Sequence, residues 1–385
     1  MGFLSGRVTY VRYRVDGPSP LPFEPEHLEK VEAHVIGKHG AGESADGVAV
    51  GWAGGEHVLD TTFDWGKNVV NDALHLGMRI DADKIPGDLL RAYTQIELAA
   101  RAAENPSGQP TRAQKQEAKE AARQRAEAEG ADGRFRRRKN VAVLWDGREN
   151  VLYAGTTSAA ALDRLVPLFR DTFGLGLEPM TAGRRVAELA AAGGDADGLD
   201  DLGPSGFVGD EAPGAFAWAG ADPVARDFLG NEFLVWLWHT LQNVGDTIDL
   251  ADGSDVAVML TKTLTLDCPF GQTGSDSLRD EGPTRLPEAL RALQAGKLPR
   301  KVGLILVRHG QQYELTLQAE TMAVSGLALP RPEGMSRDEA KVARIDLLRE
   351  GVETLDLLLD AFRRRRTGPD WKGDLGRIRG WLTAA

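Results

Sequence analysis

Apolar positions along this chain change period several times, and each change marks an element. Residues 7–15, Arg-Val-Thr-Tyr-Val-Arg-Tyr-Arg-Val, alternate with a period of two, which predicts a strand with one polar face turned to solvent. Pro18, Pro20 and Pro22 punctuate the next stretch. Leu28, Val31, Val35 and Ile36 then recur at helical spacing and predict a short amphipathic helix over 27–36. Residues 37–47 read as a loop before the apolar segment that ends at Trp52. Between Asn68 and Ile80 the pattern fits helix and strand alike. Pro86 suits a first helical turn, and the helix from Asp88 carries Leu89, Leu90, Tyr93, Ile96 and Leu98.

Residues 111–129 are almost wholly Ala, Glu, Gln, Lys and Arg. High helix propensity without an apolar side chain larger than alanine predicts a solvated arm. The run Arg134-Phe135-Arg136-Arg137-Arg138-Lys139 leads into an apolar strand ending at Trp145-Asp146, and 151–154 return from it, predicting a hairpin. Residues 159–173 place Leu162, Leu165, Val166, Leu168 and Phe169 on one helical face, and 175–180 suit a short strand. The Gly-, Ala- and Asp-rich stretch 190–220 has the weakest periodicity and reads as an insertion or linker. Beyond it, 227–239 predict an aromatic-rich core helix, and 256–268 and 302–317 are β-rich, the latter broken near Gly310. Ser336-Arg-Asp-Glu339 fits a capping box opening a long helix that ends in Arg363, Arg364, Arg365 and Arg366. Cations in a last turn also favour the helix dipole, so part of that run reads as a cap. Without a regular strand-helix-strand rhythm, the fold expected is α+β with mostly antiparallel sheets and packed helices.

A length of 385 residues suggests two or three domains, and 42% hydrophobic residues supply a packed core and exclude global disorder. The longest apolar stretch, 233–238, is broken by His239 and falls short of the roughly 20 residues a membrane-spanning helix needs. No membrane partner is expected. Cys268 is the sole cysteine, which excludes an internal disulfide and a thiolate zinc site, and a cytoplasmic location follows as the default.

The 46 Lys and Arg against 57 Asp and Glu give a formal charge of −11, which as a total opposes nucleic-acid binding. Resolved along the chain, positive charge concentrates in three runs: 134–139, the set Lys297, Arg300 and Lys301, and 363–366. Guanidinium groups fork onto phosphate oxygens, and clustered cations gain affinity by releasing counterions from DNA. Taken alone, each run more often forms a solvated face or a helix cap. No base-reading module accompanies them, so the binding expected is to the backbone.

Catalytic strings are weak. Leu306-Val307-Arg308-His309-Gly310 resembles the phosphohistidine motif of histidine phosphatases, but no histidine follows His309, and a hairpin turn is the stronger reading. Glu117-Ala-Lys119 has a spacing found in metal-dependent nucleases, yet it lies in the charged helix rather than on a core strand. The seven histidines, His27, His34, His39, His57, His75, His239 and His309, form neither His-x-His nor His-Glu-x-x-His. Neither a phosphate loop nor a nucleophile elbow is present. No catalytic residue, metal ligand or cofactor is therefore assigned.

One family shares the order of these features. Gly51-Trp52, the string Arg79-Ile-Asp-Ala-Asp-Lys84-Ile-Pro86 before a helix, and the charged helix after Ser107-Gly108 are followed by Arg134-Phe135 ahead of the strand ending in Trp145-Asp146. Glu232-Phe233-Leu-Val-Trp236-Leu-Trp238 and the final helix before Pro369-Asp370-Trp371 continue the series. Across most of its length the chain resembles RdgC, the bacterial recombination-associated proteins. That resemblance implies a horseshoe subunit with a projecting charged helical arm, closed into a ring-shaped homodimer whose positive hole admits duplex DNA without sequence preference. It implies a nucleoid-associated protein that limits the access of RecA to DNA, with single-stranded DNA a further ligand. Phe135 matches by position a phenylalanine that helps close the ring. The family also carries the label of putative exonuclease without a recognised catalytic motif.

The expected organisation is an N-terminal and central α+β region over 1–104 and 140–190, the arm over 105–139, the linker over 191–222, and a C-terminal α+β region over 223–385. The leading functional expectation is a nonspecific DNA-binding ring that modulates recombination. A metal-dependent exonuclease and a scaffold that binds no DNA are the alternatives.

Overall fold

A computed structural model describes residues 2–38, 47–199, 201–208, 216, 225–331 and 334–383. His39 and most of the second half of the linker stretch lie outside the described residues. Strand β1 (Val8–Val15) is followed by helix α1 (Pro25–Ala33), β2 (Val48–Ala53), the single turn α2 (Trp65–Asn68), β3 (Val69–Val70) and β4 (Ala73–Asp83). Next come α3 (Gly87–Glu104), α4 (Arg112–Gly130), β5 (Arg136–Asp146), β6 (Val151–Ala154), α5 (Ala159–Phe173), β7 (Leu177–Pro179) and α6 (Ala182–Gly193). The C-terminal part contains α7 (Phe228–Asn243), β8 (Thr247–Asp249), β9 (Asp255–Asp267), β10 (Asp276–Asp280) and α8 (Pro287–Gln294). It closes with β11 (Leu298–Arg308), β12 (Gln311–Gln318), β13 (Val324–Ala328), α9 (Arg337–Thr367) and α10 (Trp371–Thr383). The fold is α+β, with antiparallel strand pairing, packed helices and a strand path that does not close into a barrel.

Two compact units divide the chain. The larger comprises Met1–His27, Asp64–Leu76 and Val141–Ala385; the smaller, Leu28–Phe63 and Gly77–Asn140. The core of the larger unit is built around α7. Every residue from Leu229 to His239 is buried, the polar Asn231, Glu232 and His239 included, and its aromatic and aliphatic side chains form the core as expected. Phe233 lies 5.8 Å from Phe362 of α9, which in turn meets Trp371 of α10 at 6.0 Å. Gly230 lets α7 approach the backbone at Ala319, since a Cβ there would come within 1.9 Å of its carbonyl oxygen. The described part of the linker stretch contributes Leu199, Phe207 and Phe216 to this core.

The segment 68–80, open to two readings in sequence, is strand: α2 ends at Asn68 and the β3–β4 hairpin follows. Asn71 and Asp72 form its two-residue turn, both at positive φ, the conformation that matches strand twist and that Asn and Asp tolerate. His309 and Gly310 make the corresponding turn between β11 and β12.

β1 departs from expectation. Thr9 and Arg14 stay half-exposed, but Arg12 is 4% exposed, because Asp356 of α9 meets the guanidinium with two hydrogen bonds of 2.7 Å. Alternation marked the strand correctly, but a paired charge replaced solvent on its polar face.

In the smaller unit β2 pairs with the outer half of β4, from Val48 opposite Ala82 to Ala53 opposite Gly77. Helices α3 and α4 form a hairpin. Here the solvated arm gains a buried seam: Ala118, Ala122 and Ala126, one turn apart, are fully buried. Small side chains are themselves what α4 packs. The rest of its surface is charged, with Arg125 held 4.3 Å over the ring of Tyr93.

Candidate nucleic-acid interface

The first basic run occupies the end of the smaller unit's sheet. Arg136, Arg137, Arg138 and Lys139 are four consecutive exposed residues of β5, and strand geometry sends alternate side chains to opposite faces. On one face Arg136 meets Asp83 at 3.3 Å and Arg138 meets Asp81 at 3.8 Å. On the other, no carboxylate among the described residues reaches ion-pair distance of Arg137 or Lys139. Arg134, ahead of the strand, is held by Asp132 at 2.9 Å and Glu129 at 3.3 Å. The Phe135 ring rests on Gly130 at the end of α4, where an added Cβ would come within 2.6 Å of it.

The second run is divided. Lys297 bonds Asp276 and the carbonyl of Gly274, each at 2.7 Å, and Arg300 joins Glu320 at 2.8 Å and Asp267 at 3.1 Å. Lys301 remains exposed on β11.

The third run lies at the end of α9, where 3.6 residues per turn separate its members. Arg363 and Arg366 turn inward. Arg363 bonds Asp360 and Asp195, both at 2.6 Å. Arg366 bonds the fully buried Glu232 at 2.6 Å and the carbonyl of Gly203 at 2.7 Å, and lies 4.9 Å from the centre of the Trp371 ring. Burial pushes the Glu232 carboxyl upward, against the opposing pull of Arg366 and Ser205. Arg364 and Arg365 turn outward, at 2.7 Å from Asp360 and 3.0 Å from Asp374.

Sequence runs missed a further set of cations. Arg12, Arg14, Arg148, Arg185 and Arg349, from four places in the chain, line a cleft of about 510 Å³ in the larger unit. Each is matched. Asp356 takes Arg12 and also Arg185 at 3.0 Å; Asp146 takes Arg349 at 2.7 and 2.9 Å; Glu188 takes Arg14 at 3.1 Å; Asp72 takes Arg148 at 2.9 Å. Burial raises the Asp356 carboxyl, but Arg12 and Arg185 outweigh it and hold the group below the usual carboxylate range. The cleft therefore ties α6 and α9 to β1 through paired charge. Arg-x-Arg at period two in β1 was its only sequence signal.

The phosphatase-like string is also accounted for. Arg308 is 3% exposed and bonded to Asp252 and Glu353, while His309 is an exposed turn residue. Glu117 points outward from α4. Among the described residues no group of three or more His, Cys, Asp or Glu is placed to hold a metal ion, and no helix is long and apolar enough to cross a membrane. No protein-family model and no curated protein matches this chain.

Proposed function

We propose that this chain binds DNA without sequence preference, as a ring-shaped homodimer of the RdgC kind that encircles duplex DNA and limits the access of RecA-type filaments. The observation that supports the reading is the unmatched face of β5, where Arg137 and Lys139 stand exposed in a chain whose other cations mostly meet carboxylates. Phosphate oxygens are the ligand such a face suits, and backbone contact gives no sequence preference. Arg136 and Arg138 add to the field, and Lys301 is a further contact in the assembly. Phe135 is assigned to the dimer interface, and the working location is the nucleoid.

Fluorescence anisotropy with random-sequence duplex and single-stranded DNA, across a salt series and without divalent ions, tests this reading. Affinity should fall steeply with salt. No binding at low salt, or a salt-insensitive signal, would overturn it. End-labelled linear duplex should stay intact with magnesium or manganese; loss of label would favour the exonuclease alternative instead.

A further inference from the structure

The C-terminal sheet of the larger unit has one face in the core and one face open. Along β9 and β11, Val256, Val258, Leu260, Val302, Leu304 and Leu306 are buried in the core. Their alternates point the other way: Ala257, Ile305 and Val307 are half-buried, and Met259 is 51% exposed. Met259 lies opposite Ile305 and Ala257 opposite Val307, so these four apolar side chains lie together on the open face. Glu314 of β12, opposite Ile305, is held by Lys262 at 2.8 Å and Arg7 at 3.0 Å.

Unmatched charges of opposite sign stand at the two ends of this face. Asp255 lies four positions before Met259 on β9, and its cross-strand partner is Asp249 of β8. Like charges directly opposite weaken a strand pair, and no cation among the described residues reaches ion-pair distance of either carboxylate. Toward the other end, Lys301 lies four positions before Ile305 on β11, and Arg279 of β10 is opposite Thr263. Both cations are exposed, and no carboxylate among the described residues reaches ion-pair distance of them. Asp280, beside Arg279, accepts from the Gly282 amide. Because β9 and β11 are antiparallel, Asp255 and Lys301 stand about 13 Å to either side of the Met259–Ile305 pair.

An apolar middle with opposite charges equally far on either side is complementary to a second copy of itself. A two-fold axis between two such faces, running across the strands at Met259, would set Asp255 of one copy beside Lys301 of the other and bring the two Met259 side chains together. Nucleic acid suits this face poorly: Tyr313, the one aromatic residue of β8–β13, is fully buried, and Asp249 and Asp255 repel phosphate. Strands β9–β13 present roughly 700 Å² in plan, comparable to the ~800 Å² per partner of a stable interface. We propose that the open face of this sheet is an interface between two copies of the chain. The proposal rests on the homodimer reading and names a contact for it. A ring of two copies needs two contacts on each subunit; Phe135 supplies one, and this face supplies the other, where Lys301 makes its contact with the partner copy.

Sedimentation equilibrium of the full chain without DNA tests the proposal. Met259→Asp, Lys301→Asp and Asp255→Lys alter exposed side chains, so circular dichroism should match wild type while the dimer dissociation constant rises at least about tenfold in each. Lys301→Asp combined with Asp255→Lys in one chain should restore that constant to within about threefold, because the two ends exchange sign together. The two single charge reversals, mixed, should form heterodimers. A wild-type dimer unaffected by Met259→Asp, or charge reversals that the combined variant does not rescue, would overturn the proposal and leave the homodimer reading standing. A wild type that is monomeric at every concentration would overturn both.

Discussion

Two arginine runs of similar composition have opposite fates in this molecule. Arg136–Lys139 lies on a strand whose four side chains are all exposed, with one face unmatched by carboxylates among the described residues. Arg363–Arg366 lies on a helix that buries two of its four guanidiniums against Asp360, Asp195 and Glu232. A string of like charges therefore does not define a surface. The backbone period and the packing of the element decide which of its members meet solvent.

The largest expected effect tests the helical run. Arg366→Ala would leave Glu232 buried without its cation and should cost about 3–5 kcal/mol, read from the midpoint of urea unfolding. A change below about 0.5 kcal/mol would erase the contrast between the runs.

Buried titratable groups of the larger unit sharpen the contrast through pH. Burial, with Lys67 and Lys341 adding, lowers the pKa of His75 to about 4, so the folded protein keeps this imidazole neutral while the unfolded chain protonates it near 6.5. Its contribution is complete above about pH 6.5 and is lost as pH falls toward 4, at a cost of about 3 kcal/mol. His75→Gln should flatten stability across that window, which unfolding midpoints at successive pH values would show.

The smaller unit has a test of its own in the alanine seam. Ala122→Leu should overfill the α3–α4 hairpin and cost about 1–3 kcal/mol by the same unfolding measurement. If it is neutral, α4 is the solvated arm that its composition suggests.

The smallest stability effect belongs to the exposed strand. Arg137→Ala with Lys139→Ala should move stability by less than about 0.5 kcal/mol. It should reduce the slope of log affinity against log salt by roughly 0.9 for each DNA phosphate that no longer meets a cation. An unchanged slope would move the DNA-binding face away from β5.

Much of this architecture was legible before folding. Period two marked β1, and the aromatic-rich apolar faces of α7 marked the core helix. The Ser336–Glu339 capping box marked the start of α9, where both hydrogen bonds of the box are present. The segment 68–80 was ambiguous because β3 is only two residues long and the turn at Asn71 and Asp72 interrupts the alternation before β4. The arginine-lined cleft was illegible for a different reason. Arg12 meets Asp356 across 344 positions, and no local pattern encodes that meeting.

By itself the sequence determined the helices and strands with a clear period, such as β1, α7 and α9, and where positive charge clusters, because both follow from residue type and spacing along the chain. Only the tertiary structure decided which of those charges are free to act. A guanidinium is neutralised by a carboxylate within a few ångströms, and long-range packing alone sets that distance. The same packing turned Arg12 of β1 inward and the alanines of α4 into a seam.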